Sequence, residues 1–483
     1  MRAISWLGTR SSIFLMSTAR RRLCENVRWP MRDLHLSHLA KSLGVDCQNG
    51  DAVLRGLAID SRAVKPGDLF VAIVGDRVDG HDFIESALAN GAVAVACARP
   101  IDTPVPSIQI ADSNQVCASF GRLMRADFGG VVIGITGSAG KTTAKSFLES
   151  ICSGAGSTVA TSGNQNNELG VPLTLARLSE NPEFAVVEMG ASRKGDIAYL
   201  KSMAAPQIAV LLNALEAHVG RFGSLDTIVE TKGEILDNLT EADTAVLNAD
   251  QLHYASWRKR AAPAKIIAFG EDSSADVRLL DTVDHGLDGS DITVDMLGTR
   301  VALRLSIPGK AGVTNALAAM AAAAALDIDP DVIAQGIEAL SPVEGRGNTI
   351  QLDRGIRLIN DCYNASPSSV MAALDTLNKA RPPRTAVLAD MLELGDDGPR
   401  YHREVGKHLS NLGIERVIAV GELSAHIKDS CSVQALHFSD TNELLADCPD
   451  FLQDETILVK GSRGMQLDRF VTSMTSSLGD AKC

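Results

Sequence analysis

Between residues 31 and 125, short apolar runs at 57–59, 69–74 and 92–96 alternate with turn clusters, a spacing that predicts a small mixed α/β domain. The amphipathic stretch Leu34, Leu36, Leu39, Leu43 opens it. A second block begins at Val131, where Val-Val-Ile-Gly-Ile-Thr is β-branched enough for a buried parallel strand, and closes near Ser341-Pro342. After this strand and a glycine-rich turn, Ala144, Phe147, Leu148 and Ile151 recur at helical spacing, with Gly154 as the expected stop. The alanine-rich segment 316–326 carries Leu317, Met320 and Leu326 and predicts a packed helix. From Glu344 onward, apolar strands expected near 358–359, 386–388, 417–420 and 457–459 alternate with helical stretches, which implies a doubly wound sheet.

A chain of 483 residues is more than one core usually organises, and three domains fit: 31–125, 126–343 and 344–483. Hydrophobic residues at 45% and charged residues at 22% are ordinary globular usage, and no apolar run reaches the roughly 18 residues a spanning helix needs, so no membrane insertion is expected. A net charge of -13 speaks against nucleic acid as a partner. Nine scattered cysteines, odd in number and without a C-x-x-C pair, fit a reducing cytoplasm better than a disulfide framework or a zinc site. Residues 1–30 stand apart, with six arginines against Glu25. This basic extension has the character of an organellar transit peptide or of a mis-assigned start ahead of Met16 or Met31.

The string Ile135-Thr-Gly-Ser-Ala-Gly-Lys-Thr-Thr143 lies between the expected strand and helix, the context a phosphate loop requires. Its glycines, Gly137 and Gly140, let successive backbone N–H groups turn toward phosphates; Lys141 can neutralise β and γ oxygens, and Thr142 offers a hydroxyl to a phosphate-bound Mg²⁺. The loop departs from the common G-x-x-x-x-G-K-[ST] form, since Ile135 stands where its first glycine would be. Glu188 ends the apolar strand 184–187 at the sheet edge where α/β folds bind ligands, as a cation-holding carboxylate or, more commonly for such a residue, a solvated strand end. Further on, Asn213-Ala-Leu-Glu-Ala-His218 and Lys232 follow the apolar run 208–212. Imidazole can ligate a metal but an ammonium repels one, so Lys232 suggests a phosphate contact, a modified lysine or an ordinary solvent-facing helix residue. Asp60-Ser61-Arg62 and Asp79-Gly80-His81-Asp82 follow apolar strands, as binding loops or plain surface turns.

Together these strings resemble the Mur ligase family, whose members share T-G-[ST]-x-G-K-T, a glutamate after the next core strand, and a histidine and lysine beyond it; the match covers nearly everything after Met31. Within the family, Ile59-Asp-Ser-Arg62, Leu69-Phe-Val-Ala72, Asp79-Gly-His-Asp82, Gly163-Asn-Gln-Asn-Asn-Glu-Leu-Gly-Val-Pro172, Asp361-Cys-Tyr-Asn-Ala-Ser-Pro367, Asp390-Met-Leu-Glu-Leu-Gly395 with His402, and Val459-Lys-Gly-Ser-Arg463 are similar to the members that add D-alanyl-D-alanine. The resemblance implies an N-terminal UDP-sugar domain, a central P-loop ATPase-type α/β domain and a C-terminal Rossmann-like α/β domain. It also implies a cytoplasmic, monomeric, ATP-dependent ligase in peptidoglycan precursor synthesis. Its partners are UDP-N-acetylmuramoyl-tripeptide and D-alanyl-D-alanine, joined through an acyl phosphate.

By the same resemblance Lys141, Glu188, His218 and Lys232 are catalytic, and Thr142, Glu188, His218 and a carbamylated Lys232 hold Mg²⁺. ATP takes residues 137–143 with Asn315, Arg346 and Asp361, while Ser61, Arg62, Asn166, Asn167, Asn364 and Ser366 are substrate-binding candidates. Two departures stand out: Pro308-Gly-Lys-Ala311-Gly312 lacks the family's usual His-Asn pair, and Ser366 replaces an asparagine. The alternatives are a relative adding a single amino acid to the same nucleotide or glutamate to folate, the diaminopimelate-adding relatives being marked by an Asp-Asn-Pro-Arg string that is missing here, and a non-catalytic nucleotide-binding homologue, which would have lost one of Lys141, Glu188, His218 or Lys232.

Overall fold

Each of three sheets collects one group of the chain's apolar runs. The computed structural model describes residues 33–75, 77–217 and 219–479; the basic extension at 1–30 lies outside them. In the N-terminal domain, Gly56–Ala58, Asp68–Val71, Ala94–Cys97 and Ser107–Gln109 run parallel, with Cys47–Gln48 antiparallel at the edge. Helices Leu36–Leu43 and Ser113–Asp127 join them in one core through Leu36, Leu39, Leu69, Val71 and Phe120.

The central domain is built on a nine-stranded sheet. Strand β1 (Val131–Thr136), buried from its second residue on, lies between β2 (Phe184–Glu188) and β3 (Ile208–Leu211), all parallel. The sheet continues parallel through Thr244–Asn248 and Lys265–Gly270 to Val277–Asp284, then turns antiparallel into Ser290–Met296 and Thr299–Leu305. Those last strands bury alternate residues on one face, so no continuous apolar run announces them in the sequence.

Helix α1 (Lys141–Ala155) packs on this sheet through Ala144, Phe147, Leu148 and Ile151, the positions its periodicity predicts. It passes the expected stop at Gly154 and ends at Gly156, whose N–H reaches the Cys152 carbonyl at 2.8 Å. Gly154 has another use: a Cβ there would meet Val332 Cγ1 at 3.2 Å, so the glycine admits the neighbouring helix Pro330–Glu338. Helix α2 (Gly309–Ala324) starts seven residues before the alanine run, placing Lys310, Ala311 and Gly312 in its first turns. Its small side chains are buried nearly all round, which lets it approach α1 and the sheet closely.

In the C-terminal domain, β4 (Arg357–Asn360) leads into α3 (Pro367–Asn378) and β5 (Arg384–Ala389), and β6 (Thr456–Lys460) lies between β4 and β5. The parallel sheet extends to Arg416–Val420 and Gln434–Phe438, with Asn348–Gln351 antiparallel on β4. Two separate cores, one containing Leu374, Leu388 and Val405 and the other Leu358, Val387 and Phe470, cover its two faces, as a doubly wound sheet requires. The central domain reaches into the first of these cores with Leu287, at the turn between Val277–Asp284 and Ser290–Met296. Asp284 pairs with Lys379 and Asp288 with Arg357 beside it.

Candidate active site at the junction of the three domains

The carboxyl ends of β1, β2 and β3 open on a cleft of about 1710 Å³ whose opposite wall is the 361–369 segment of the C-terminal domain. Asp112 and Asn114, at the start of Ser113–Asp127, supply a third side.

The phosphate-loop residues Gly137, Ser138, Ala139, Gly140, Lys141, Thr142 and Thr143 run directly from β1 into α1. Gly140 takes φ +81° as the N-cap, and a Cβ there would lie 2.2 Å from Asn315 Oδ1, so only glycine lets the loop pass beneath Asn315. The first-turn amides of α1 have no helical acceptor, an arrangement that with the helix dipole can receive an anion. Asn213 braces the loop: its Oδ1 accepts from the Ser138 and Ala139 N–H groups, both at 3.0 Å, and its Nδ2 donates to the Ala139 carbonyl at 3.1 Å. The sequence contains Asn213 in a recognised string, but only the sheet brings it against a loop 75 positions earlier.

Lys141 folds back over the loop, donating to the Gly137 carbonyl at 2.8 Å. Burial pulls its pKa down; Glu188 opposes this and Arg346 adds to it. Glu188 is 1% exposed, which overturns the solvated-terminus alternative. One carboxylate oxygen accepts from Thr142 Oγ1 at 2.9 Å and the other from Asn166 Nδ2 at 2.7 Å. Asn167 steadies the same loop by accepting from Gly170 N–H at 3.0 Å. Lys232 is 3% exposed, so the solvent-facing reading fails as well. Burial first, then Lys141, lowers its pKa to about 7 against the opposing charges of Asp196 and Glu234.

His218 lies outside the described residues. Among the described residues, no group of three or more His, Cys, Asp or Glu gathers as a metal cage. Two oxygen donors of the kind Mg²⁺ takes, a buried carboxylate and a hydroxyl, are in direct contact at the foot of the loop.

On the far wall, Arg346 stacks on Tyr363 with its guanidinium carbon 4.0 Å from the ring centroid. Asp361 pairs with Lys460 at 2.6 Å; burial raises its pKa, and Lys460 and Arg346 oppose that rise. Asn364 is exposed along the cleft, while Ser366 caps α3, its N–H donating to Ser369 Oγ at 2.9 Å. Ser61 and Arg62 do not line this cleft. Ser61 is buried in a short turn of the N-terminal domain, and Arg62 pairs with Asp60 at 2.7 Å in solvent.

The Mur ligase middle domain matches residues 135–323, the glutamate ligase domain of Mur ligases residues 345–463, and the catalytic domain of the Mur ligase family residues 53–124. A UDP-N-acetylmuramoyl-tripeptide--D-alanyl-D-alanine ligase from Escherichia coli (strain K12) is 34% identical over 447 residues, covering 92% of this chain and 99% of the relative. Among solved structures, MurF from Acinetobacter baumannii aligns with TM-score 0.83 at 29% identity over 93% of this chain and 100% of that one. MurF ligase from Thermotoga maritima in complex with ADP aligns at 0.75 and 30% identity, over 88% and 98% of the two chains.

Proposed function

The chain belongs to the Mur ligase family, and from that premise we propose that it is an ATP-dependent ligase joining D-alanyl-D-alanine to UDP-N-acetylmuramoyl-tripeptide in cytoplasmic peptidoglycan precursor synthesis. The observation that carries the reading is that the phosphate loop and the 361–366 segment face each other across one cleft. A phosphoryl donor and an amine acceptor can therefore meet on the same carboxylate.

Phosphoryl transfer to the peptide's terminal carboxylate needs charge stabilisation on the transferring group, which in this reading comes from Lys141 and the first-turn amides of α1. The amine of the dipeptide then attacks the acyl phosphate, forming the amide and releasing phosphate. Asn315, Arg346 and Asp361 are the nucleotide's other contacts in this reading, Asn364 and Ser366 those of the dipeptide, and Asn166 and Asn167 those of the nucleotide-linked peptide. Ser61 and Arg62 are left to the sugar nucleotide, away from the chemistry.

Thr142 and Glu188 would hold one Mg²⁺, which when bound screens the phosphate oxygens; His218 and Lys232 would serve a second. For Lys232 the support is its burial beside Lys141, which favours an uncharged amine, the form that takes up carbon dioxide to become an oxygen-bearing carbamate. The protein acts as a monomer in this reading.

The test is phosphate release from ATP across a panel of UDP-muramoyl peptides crossed with amino acids and dipeptides. Turnover is expected only with the tripeptide nucleotide and D-alanyl-D-alanine together. Equal turnover without the dipeptide rejects the assignment, and equal turnover with a single amino acid moves the chain to a different family member.

A further inference from the structure

Lys460 has no part in the reaction just described, yet it is built into the cleft wall. It ends β6, between β4 and β5, and is 3% exposed. Its Nζ donates to Asp361 Oδ2 at 2.6 Å and to the Asn364 carbonyl at 3.0 Å. Asp361 N–H meanwhile donates to the Val459 carbonyl at 2.9 Å, so β6 holds this loop by its backbone at one residue and by a side chain from the next.

The loop so held carries nucleotide-side and acceptor-side groups within six residues: Asp361, then Tyr363 under Arg346, then Asn364 and Ser366. Sheet stability does not explain the lysine. A buried charge pair is commonly no more stabilising than an apolar packing residue, and β6 is otherwise buried along its length. What the ammonium adds is direction. It holds the Asn364 carbonyl in the cleft wall, and Asn364 itself is exposed along the cleft.

We propose that Lys460 is a positioning residue for the acceptor: by pinning the Asn364 backbone it presents the Asn364 amide as a fixed polar contact for the incoming dipeptide, while its ion pair sets Asp361 for the nucleotide. This deepens the ligase reading and rests on it. One ammonium thereby ties the two sides of the reaction to the same strand.

The experiment compares Asp361→Asn with Asp361→Asn/Lys460→Met. Asp361→Asn leaves the Lys460 ammonium an amide oxygen and the Asn364 carbonyl as acceptors, and the double variant removes the buried charge altogether, whereas Lys460→Met alone would strand the Asp361 carboxylate. Wild type is assayed first: loss of dipeptide dependence there overturns the ligase reading, and this inference with it. With wild type behaving as a ligase, Asp361→Asn is expected to raise the KM for ATP and leave that for D-alanyl-D-alanine within about twofold; adding Lys460→Met raises the dipeptide KM by about tenfold or more with little change in kcat. Equal dipeptide KM values in the two variants overturn the proposal while leaving the ligase reading standing. A parallel rise in the KM values of ATP, nucleotide-peptide and dipeptide, with a lowered melting temperature, assigns Lys460 to the fold alone and overturns it too.

Discussion

At the scale of single residues, the site depends on polar groups that burial makes dependent on one another. Glu188 divides its two oxygens between Thr142 and Asn166, and Lys141 lies back on its own loop, donating to the Gly137 carbonyl. Lys141→Ala is expected to lower kcat by at least about 100-fold in a phosphate-release assay with unchanged melting temperature; turnover within a few-fold of wild type would remove Lys141 from the chemistry. Lys232→Ala is expected to lose turnover and to recover part of it when a small carboxylic acid is added to stand in for the carbamate. Absence of rescue would leave the carbamate without support.

His402 gives a pH test of a different kind. It is fully buried, its Nε2 accepts from the Met391 N–H at 3.0 Å, and its other nitrogen faces the Gly398 carbonyl at 2.7 Å. Burial holds its pKa below the ordinary imidazole value, so the unfolded chain takes up the proton first. The stability contributed by neutral His402 is complete above about pH 6.5 and is lost as the pH falls through the folded value. Melting curves at about pH 7.5 and pH 5 should therefore fall more steeply for wild type than for His402→Gln. Equal slopes would show that this histidine does not titrate with unfolding.

At the scale of elements, the strand–loop–helix unit was legible because three signals coincide: a β-branched run, a glycine turn and a helical period of apolar residues. Boundaries were less legible where glycine serves packing rather than termination. Gly154 and Gly336 both sit at the crossing of α1 with Pro330–Glu338, and a Cβ on Gly336 would come within 2.6 Å of Ile151 Cα. Gly336→Ala is accordingly expected to force the helices apart and cost about 1–3 kcal/mol in denaturant unfolding. A variant as stable as wild type would mean that the crossing relaxes without loss. The strands Ser290–Met296 and Thr299–Leu305 escaped the sequence reading because half of their residues face away from the core.

At the scale of the whole molecule, the central domain holds the C-terminal domain through several contacts, two of which carry ion pairs. One is the Leu287 turn with its two ion pairs. The other is the backbone contact from Gly220 N–H to the Glu393 carbonyl at 2.9 Å, flanked by the Arg221–Glu393 ion pair and by Ser368 donating to Glu216 at 2.9 Å. A Cβ on Gly220 would lie 2.5 Å from Gly395 N, so Gly220→Val should hold this second contact open. The expected result is a loss of dipeptide-dependent turnover with ADP affinity changed much less, read by calorimetry beside the phosphate-release assay. Unchanged turnover would show that the contact is dispensable for catalysis.

The sequence alone determined the phosphate loop, the packed faces of the helices, the parallel cores and the family, because each is written in residues adjacent along the chain or repeated at a helical or strand period. Tertiary structure decided which polar residues are buried and what each one meets. Glu188 and Lys232 look like solvated residues in a string of letters and become buried groups only when β2, α1 and Leu225–Gly233 close around them. Asn213 and Lys460 acquire their partners only when positions 75 and 99 apart are folded together. Local pattern sets what a segment can become, but burial and hydrogen-bond partners belong to pairs of segments, and no single stretch of sequence contains a pair.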